Sequence, residues 1–279
     1  MPQHVMKVGN VEIVALLDTS AKVPCSMVFP AVGHDDWARH AEHLEDGDNL
    51  PLSISSYLVR GAGKTVLVDT GIGAKDRPFF GNGRLPDALA EAGVQPADID
   101  LVLATHIHID HVGWHTTKRG DAWVPTFPRA KHIFNRAEYD YFTAPAVAAD
   151  PQFPWVADCV LPLRDAAEVE LVGDEAAVTP EITLLPSPGH TPAHTSFLVQ
   201  SAGESALILG DVAHNPAQIT EPGWQPIFDM DPAQASATRA ALAQRIQEQG
   251  WRLVAGHFAH PGFGRVVLVE GKRYWRGGL

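Results

Sequence analysis

Four residues within six positions, His106, His108, Asp110 and His111, offer imidazole and carboxylate groups at a spacing that suits metal binding. They follow the apolar run Asp100-Leu101-Val102-Leu103-Ala104-Thr105. Where a strand ends, residues two apart point the same way, so His106 and His108 can grip one ion while Ile107 turns into the core. Asp110 and His111 come after the chain turns and can face a second ion. Imidazole and carboxylate are the ligand set of zinc and of other borderline first-row metals. This motif alone suffices for one ion; two require ligands from elsewhere.

Three further segments supply them. Of the 14 histidines, His106, His108, His111, His115, His190, His194, His214, His257 and His260 fall in four short stretches, each following an apolar strand or a Gly-containing turn. His190 sits in Pro186-Ser187-Pro188-Gly189-His190-Thr191-Pro192-Ala193-His194, whose prolines and glycine make a rigid turn. His194 reads as a supporting residue more than a ligand. Asp211 ends the run Ala206-Leu207-Ile208-Leu209-Gly210; a carboxylate there is costly unless paired or bound to a cation. One carboxylate can give an oxygen to each of two ions, which makes Asp211 the natural bridge. His257 follows Val254-Ala255-Gly256, again at a strand end. Seven side chains then converge, enough for two divalent ions, zinc first, with iron, manganese or cobalt as alternatives.

The elements that position them read as follows. Strand patterns run through 4–20, 53–59, 65–69, 100–105, 169–172, 182–185, 195–200, 206–209, 254–256 and 265–269. Helices are expected at 86–92, 135–143 and 232–249, the last with Asp231 to cap it and Gly250 to stop it. Early hairpins with later interspersed helices suggest an α+β chain of packed sheets with helices outside, in one domain spanning 1–279. A Gly-rich loop, 70–84, has Phe79 and Phe80 at its tip and suggests a mobile lid. Trp114, Trp155, Trp224 and Phe258 are further wall candidates, with core packing the commoner fate of each.

Hydrophobic residues make up 45% of the 279, ample for a core, and no run of about 18 apolar residues points to a membrane span. Acidic residues (33) outnumber basic ones (21), a formal charge of −12 that disfavours a nucleic-acid partner. Cys25 and Cys159 form no metal or disulfide framework and read as buried free thiols. With no signal-peptide pattern at the N-terminus, a cytoplasmic location is expected.

Asp69-Thr70-Gly71, the His106–His111 motif, Pro188-Gly189-His190-Thr191, Gly210-Asp211 and Gly256-His257 occur in an order that resembles the metallo-β-lactamase-fold hydrolases. Gly210-Asp211-x-x-His214-x-Pro216-x-Gln218 and His257-Phe258-x-x-Pro261-Gly262-x-Gly264 are similar to the branch with methyl parathion hydrolase and quorum-quenching lactonases. The resemblance implies a four-layer αββα sandwich with the site at one edge of the sheets. It implies one metal on His106, His108 and His190, the other on Asp110, His111 and His257, with Asp211 bridging and Asp69 orienting a ligand beneath. A homodimer is also implied. Two departures stand out: Ala193 replaces a Gly common in relatives, and His214 stands where acyl-homoserine lactonases carry Tyr.

The expected reaction is hydrolysis of a carboxylic ester or lactone by a metal-bridging hydroxide, since two cations lower the pKa of a shared water towards neutrality. Asp110 would pass a proton to the leaving alkoxide and His214 would polarise the carbonyl. Phosphotriester hydrolysis is the nearest alternative on the same residues. A metal-binding sensor without turnover is the alternative of another class, and a mononuclear iron dioxygenase is disfavoured by the full ligand set. A glutathione thioesterase lacks its basic C-terminal extension here, a β-lactamase role is weaker still, and RNA processing is disfavoured by charge.

Overall fold

Alternation of apolar residues along the strands sends one set of side chains between two sheets and the other set outward beneath helices. The computed structural model describes residues 4–61, 63–75 and 79–278. In chain order the strands are β1 (His4–Val8), β2 (Val11–Pro24), β3 (Asn49–Gly61), β4 (Lys64–Val68), β5 (Leu101–Leu103), the hairpin β6 (Thr116–Arg119) and β7 (Ala122–Pro125), β8 (Lys131–Asn135) and β9 (Glu168–Val172). They continue with β10 (Ile182–Pro186), β11 (Thr195–Ser201), β12 (Glu204–Ile208), β13 (Arg252–Val254), β14 (Phe263–Val269) and β15 (Lys272–Gly277). One sheet has the order β1-β2-β3-β4-β5-β8-β9 and the other β10-β11-β12-β13-β14-β15.

Ile13, Ala15, Val66, Val68 and Leu103 from the first sheet meet Leu184, Phe197, Val199, Ala206, Ile208 and Val254 from the second. The alternate residues Val14, Leu16, Leu67 and Val102 face outward onto Leu85, Ala88 and Leu89 of the helix Leu85–Glu91. On the opposite side Leu198, Leu207 and Leu253 pack against Leu242 and Ile246 of the helix Pro232–Gln249. Each such fully buried leucine stabilises the layers by about 1.5–3 kcal/mol. The layering is the αββα sandwich expected from the sequence.

Asp231 accepts a hydrogen bond from Gln234 N at the start of the long helix, and Gly250 adopts the left-handed conformation at its end, as the sequence predicts. Asn135 caps the helix Arg136–Thr143 and does not lie inside it. The strand expected at 254–256 is instead Arg252–Val254; Ala255 N bonds Gly262 O and closes the loop that carries His257. β6, β7, β8 and β15 are strands beyond those expected from the sequence. Cys25 and Cys159 are buried and form no disulfide with each other. Among the described residues no helix is long and apolar enough to cross a membrane.

The topology brings five strand ends together. β4 and β5 are parallel, as are β12 and β13, and β10 runs with β12 because both are antiparallel to β11. Beyond the ends of these five strands lie Asp69, His106, Asp211, His257 and His190.

Candidate metal centre

All seven residues expected as ligands meet at this edge. Nδ1 of His108 lies 3.1 Å from Nε2 of His106 and 2.9 Å from Nε2 of His190, so three imidazole nitrogens converge on one point. Beside it, Asp110 Oδ2 lies 3.6 Å from His111 Nε2 and 3.5 Å from His257 Nε2. Asp211 stands between the two sets. Its Oδ2 is 3.3 Å from His190 Nε2 and 3.8 Å from His106 Nε2, its Oδ1 is 3.1 Å from His111 Nε2, and both oxygens are 3.1 Å from His257 Nε2.

The rings are held from behind. His111 Nδ1 lies 2.9 Å from Asp69 Oδ2, and Asp69 also accepts hydrogen bonds from Thr105 N and Oγ1. The orienting role expected of Asp69 is thus visible in its contacts. His257 Nδ1 lies 2.8 Å from the Ser53 carbonyl, and His190 Nδ1 lies 3.1 Å from Asp229 Oδ1. Each contact leaves Nε2 facing the site. His194 does not join the cluster: its Nε2 accepts a hydrogen bond from Asp211 N, and its Nδ1 lies 2.8 Å from Ser187 Oγ. Gly210 has φ +60°, and a Cβ there would stand 2.5 Å from His194 Nε2, so the turn that delivers Asp211 requires glycine.

Electrostatics follow from burial and from one shared charge. Burial and the neighbouring imidazoles hold His106 and His190 well below the usual histidine range against the pull of Asp211, and burial takes His108 down to about 4. Such rings are neutral at pH 7 and offer lone pairs, the state a metal requires. Burial acts on His111 too, but Asp211, Asp69 and Asp110 outweigh it and raise that ring well above its usual value. Burial resists ionisation of Asp211, yet His111, His257, His106 and His190 hold it well below the carboxylate range.

Nε2 of His111, Oδ1 of Asp211 and both ring nitrogens of His214 are buried without a hydrogen-bond partner. Their concentration at one point, among oxygen and imidazole donors, fits a pair of bound cations.

The metallo-beta-lactamase superfamily model matches residues 49–257, three quarters of the chain and every residue of this cluster. The chain belongs to the metallo-beta-lactamase superfamily. Among curated members, an N-acyl homoserine lactonase of Bacillus sp is 26% identical over 183 residues, covering 60% of this chain and 66% of that one. The chain thus spans just under two thirds of that relative. The N-acyl homoserine lactonase AiiA of Bacillus thuringiensis subsp. kurstaki is 23% identical over 232 residues, 77% of this chain and 84% of the other. AidC, described as a dizinc quorum-quenching lactonase in complex with a product, superposes with a TM-score of 0.87 at 20% identity, covering 99% and 97%. The hydrolase AbOPH superposes with a TM-score of 0.83 at 25% identity over the same shares.

In this superfamily member the cluster forms the floor of a cavity of about 590 Å³. Its walls are largely apolar, with Leu52, Ile54, Ile72, Phe80, Trp155 and Phe228 among the lining residues. Of the proposed wall residues Phe80 and Trp155 line it. Phe79 points to solvent, 61% exposed, while Trp114, Trp224 and Phe258 pack into apolar clusters. Residues 76–78 of the suggested lid lie outside the described residues.

His214 also lines the cavity. Its Nε2 is 3.2 Å from Asp211 Oδ2 and its ring stacks on His257 at 5.2 Å. Sequence reasoning missed two carboxylates. Asp229 joins His190 to the buried Arg239, whose Nη2 donates to it at 3.0 Å. Glu138 is buried and pushed by burial to about 7. It accepts from Ile107 N, Thr191 Oγ1 and Ala193 N, tying the two ligand loops together. Ala193 thus takes part in this turn through its backbone.

Proposed function

We propose that the chain is a dinuclear metal-dependent hydrolase acting on a carboxylic ester or lactone with an apolar acyl part. The observation that carries this reading is the Asp211 carboxylate on the floor of an apolar cavity, standing between the two ligand sets and 3.1–3.8 Å from nitrogens of both. His106, His108 and His190 would hold one cation and Asp110, His111 and His257 the other. Zinc suits this imidazole-rich set; iron, manganese and cobalt share the preference. When bound, such a pair of cations acidifies a shared water and polarises the substrate carbonyl.

The chain's own groups account for the rest. Asp69, Asp229 and the Ser53 carbonyl hold three rings in the tautomer that presents Nε2 to the site. Asp110 reaches the cavity and is set to deliver a proton to the departing alkoxide. His214, with two nitrogens free of hydrogen bonds, is set to donate to the oxygen on which negative charge develops. The aromatic and aliphatic walls exclude water and bind the acyl part. Lactonase activity in the curated relatives supports the choice of carbonyl substrate.

The test is metal analysis of the purified chain with a panel of lactones, aryl esters, thioesters and phosphotriesters. Two metal equivalents, lactone or ester turnover, and its loss on chelation with recovery on zinc addition are expected. Full turnover by stripped protein, or no carbonyl hydrolysis at all, sinks the reading. A clear preference for phosphotriesters moves it to that class.

A further inference from the structure

A second set of ligand groups lies away from this centre, where the helical turns His34–Trp37 and Ala38–His43 pack against the segment 215–224. The backbone at His40 leaves helical geometry (φ −131°, ψ 26°), and the kink accompanies a stacking of the His40 and His43 rings at 6.3 Å. Donor atoms of His40, Glu42 and His43 lie within 4.8 Å of one another. His43 Nε2 stands 3.7 Å from Glu42 Oε1, and His40 Nε2 stands 3.6 Å from Glu221 Oε1. Ligands of a tetrahedral zinc at about 2.0–2.1 Å stand roughly 3.3–3.4 Å from each other, so the 3.6 and 3.7 Å pairs are near that spacing, while the wider separations, up to 4.8 Å, must close on binding.

His40 supplies the independent observation. It is 4% exposed, held edge-on by Trp224 at 5.1 Å, and its Nε2 has no hydrogen-bond partner. A cation between the His40 ring and Glu221 accounts for both the 3.6 Å gap and the missing partner. We propose that His40, Glu42 and His43, with Glu221 completing the set, form a third divalent-cation site of structural type.

Such an ion joins two parts of the chain. Glu221 follows the short helix Ala217–Thr220, and Asn215 Nδ2 already donates to the His43 carbonyl. The same stretch of chain carries Asp211 and His214 and leads into Ile227 and Phe228 of the cavity wall. A cation on His40 and His43 would fasten that wall to the 34–43 turns. The site is independent of which ester the centre hydrolyses, and even of whether it hydrolyses one.

The experiment is zinc titration of the full chain after chelator stripping, followed by calorimetry and by the melting temperature. Wild type is expected to take up three equivalents, the third raising the melting temperature. Glu42→Gln, at an exposed side chain, and His43→Asn should each lose the third equivalent, or bind it at least about tenfold more weakly. Both should keep the other two, with turnover within about twofold. Cobalt in place of zinc should give a third absorption increment absent from the variants. Saturation of wild type at two equivalents, or a third equivalent unchanged in both variants, overturns the proposal.

Discussion

Asp229 Oδ1 lies 3.1 Å from Nδ1 of His190, on the side of the ring opposite the nitrogen that faces the metal cluster. The same carboxylate takes the guanidinium of Arg239 from the long helix. The helix that covers the second sheet therefore sets the tautomer and angle of a ligand. Asp229→Ala should weaken metal binding about 10–100-fold in chelator competition, with turnover recovering at saturating metal. It should also cost about 3–5 kcal/mol in denaturant unfolding, because Arg239 is left buried without its partner. Unchanged metal affinity would remove Asp229 from the design of the site.

His214 tests what faces the substrate. His214→Phe keeps a flat ring against His257 but has no donor. Turnover should fall about 10²–10³-fold while both metal equivalents remain. His214→Tyr, which restores a donor, should recover part of that loss. If a metal equivalent disappears with His214, the residue is a ligand and the assignment of its donor role fails.

Acid sensitivity should arise partly outside the centre. Nδ1 of His115 and Nδ1 of His132 lie 2.7 Å apart, both rings fully buried, and neither Nε2 has a hydrogen-bond partner. Burial, reinforced by the neighbouring ring, holds His115 well below 6.5, and burial takes His132 down to about 4. With the folded value depressed, the unfolded chain binds more protons between pH 6.5 and 4. Stability from this pair is therefore intact above about pH 6.5 and is lost as pH falls through 4. His132 alone accounts for about 3 kcal/mol across that window. In the His115→Phe/His132→Leu double variant, unfolding free energy should decline less steeply on acidification than in wild type. The slope is the readout, and equal slopes would refute the assignment.

The cluster of histidines and carboxylates was legible because its residues follow apolar strands or Gly-containing turns, where a costly polar residue announces itself. The layered fold was legible for the same reason: β2, β4 and β12 alternate inward and outward residues. Asp229 and Glu138 gave no such signal. Asp229 sits in an irregular stretch 39 residues from His190, and Glu138 occupies a helix where a glutamate ordinarily faces water. Their partners exist only once the sheets have packed. β15 was hidden by its exposed, polar sequence Lys272–Gly277, which buries too little to leave a pattern. Phe79 and Phe80 show the limit of adjacency. Neighbours at a loop tip point apart, and only Phe80 lines the cavity.

The cavity wall predicts selectivity. Phe228 stands 5.5 Å from His214 and is 39% exposed, so its ring borders the site without being part of the core. Covering a Phe ring by an acyl chain is worth about 1.5–3 kcal/mol at full burial, and about half of that for a ring already half covered. A loss near 1.4 kcal/mol is about tenfold in affinity. Phe228→Ala should therefore raise KM about three- to tenfold for substrates with long apolar acyl chains and far less for short ones, with kcat within about twofold. Removing an exposed ring should shift unfolding stability by no more than about 0.5 kcal/mol, so the kinetic change can be read directly. Equal KM changes for long and short chains would mean that Phe228 shapes the centre itself and does not bind the acyl part.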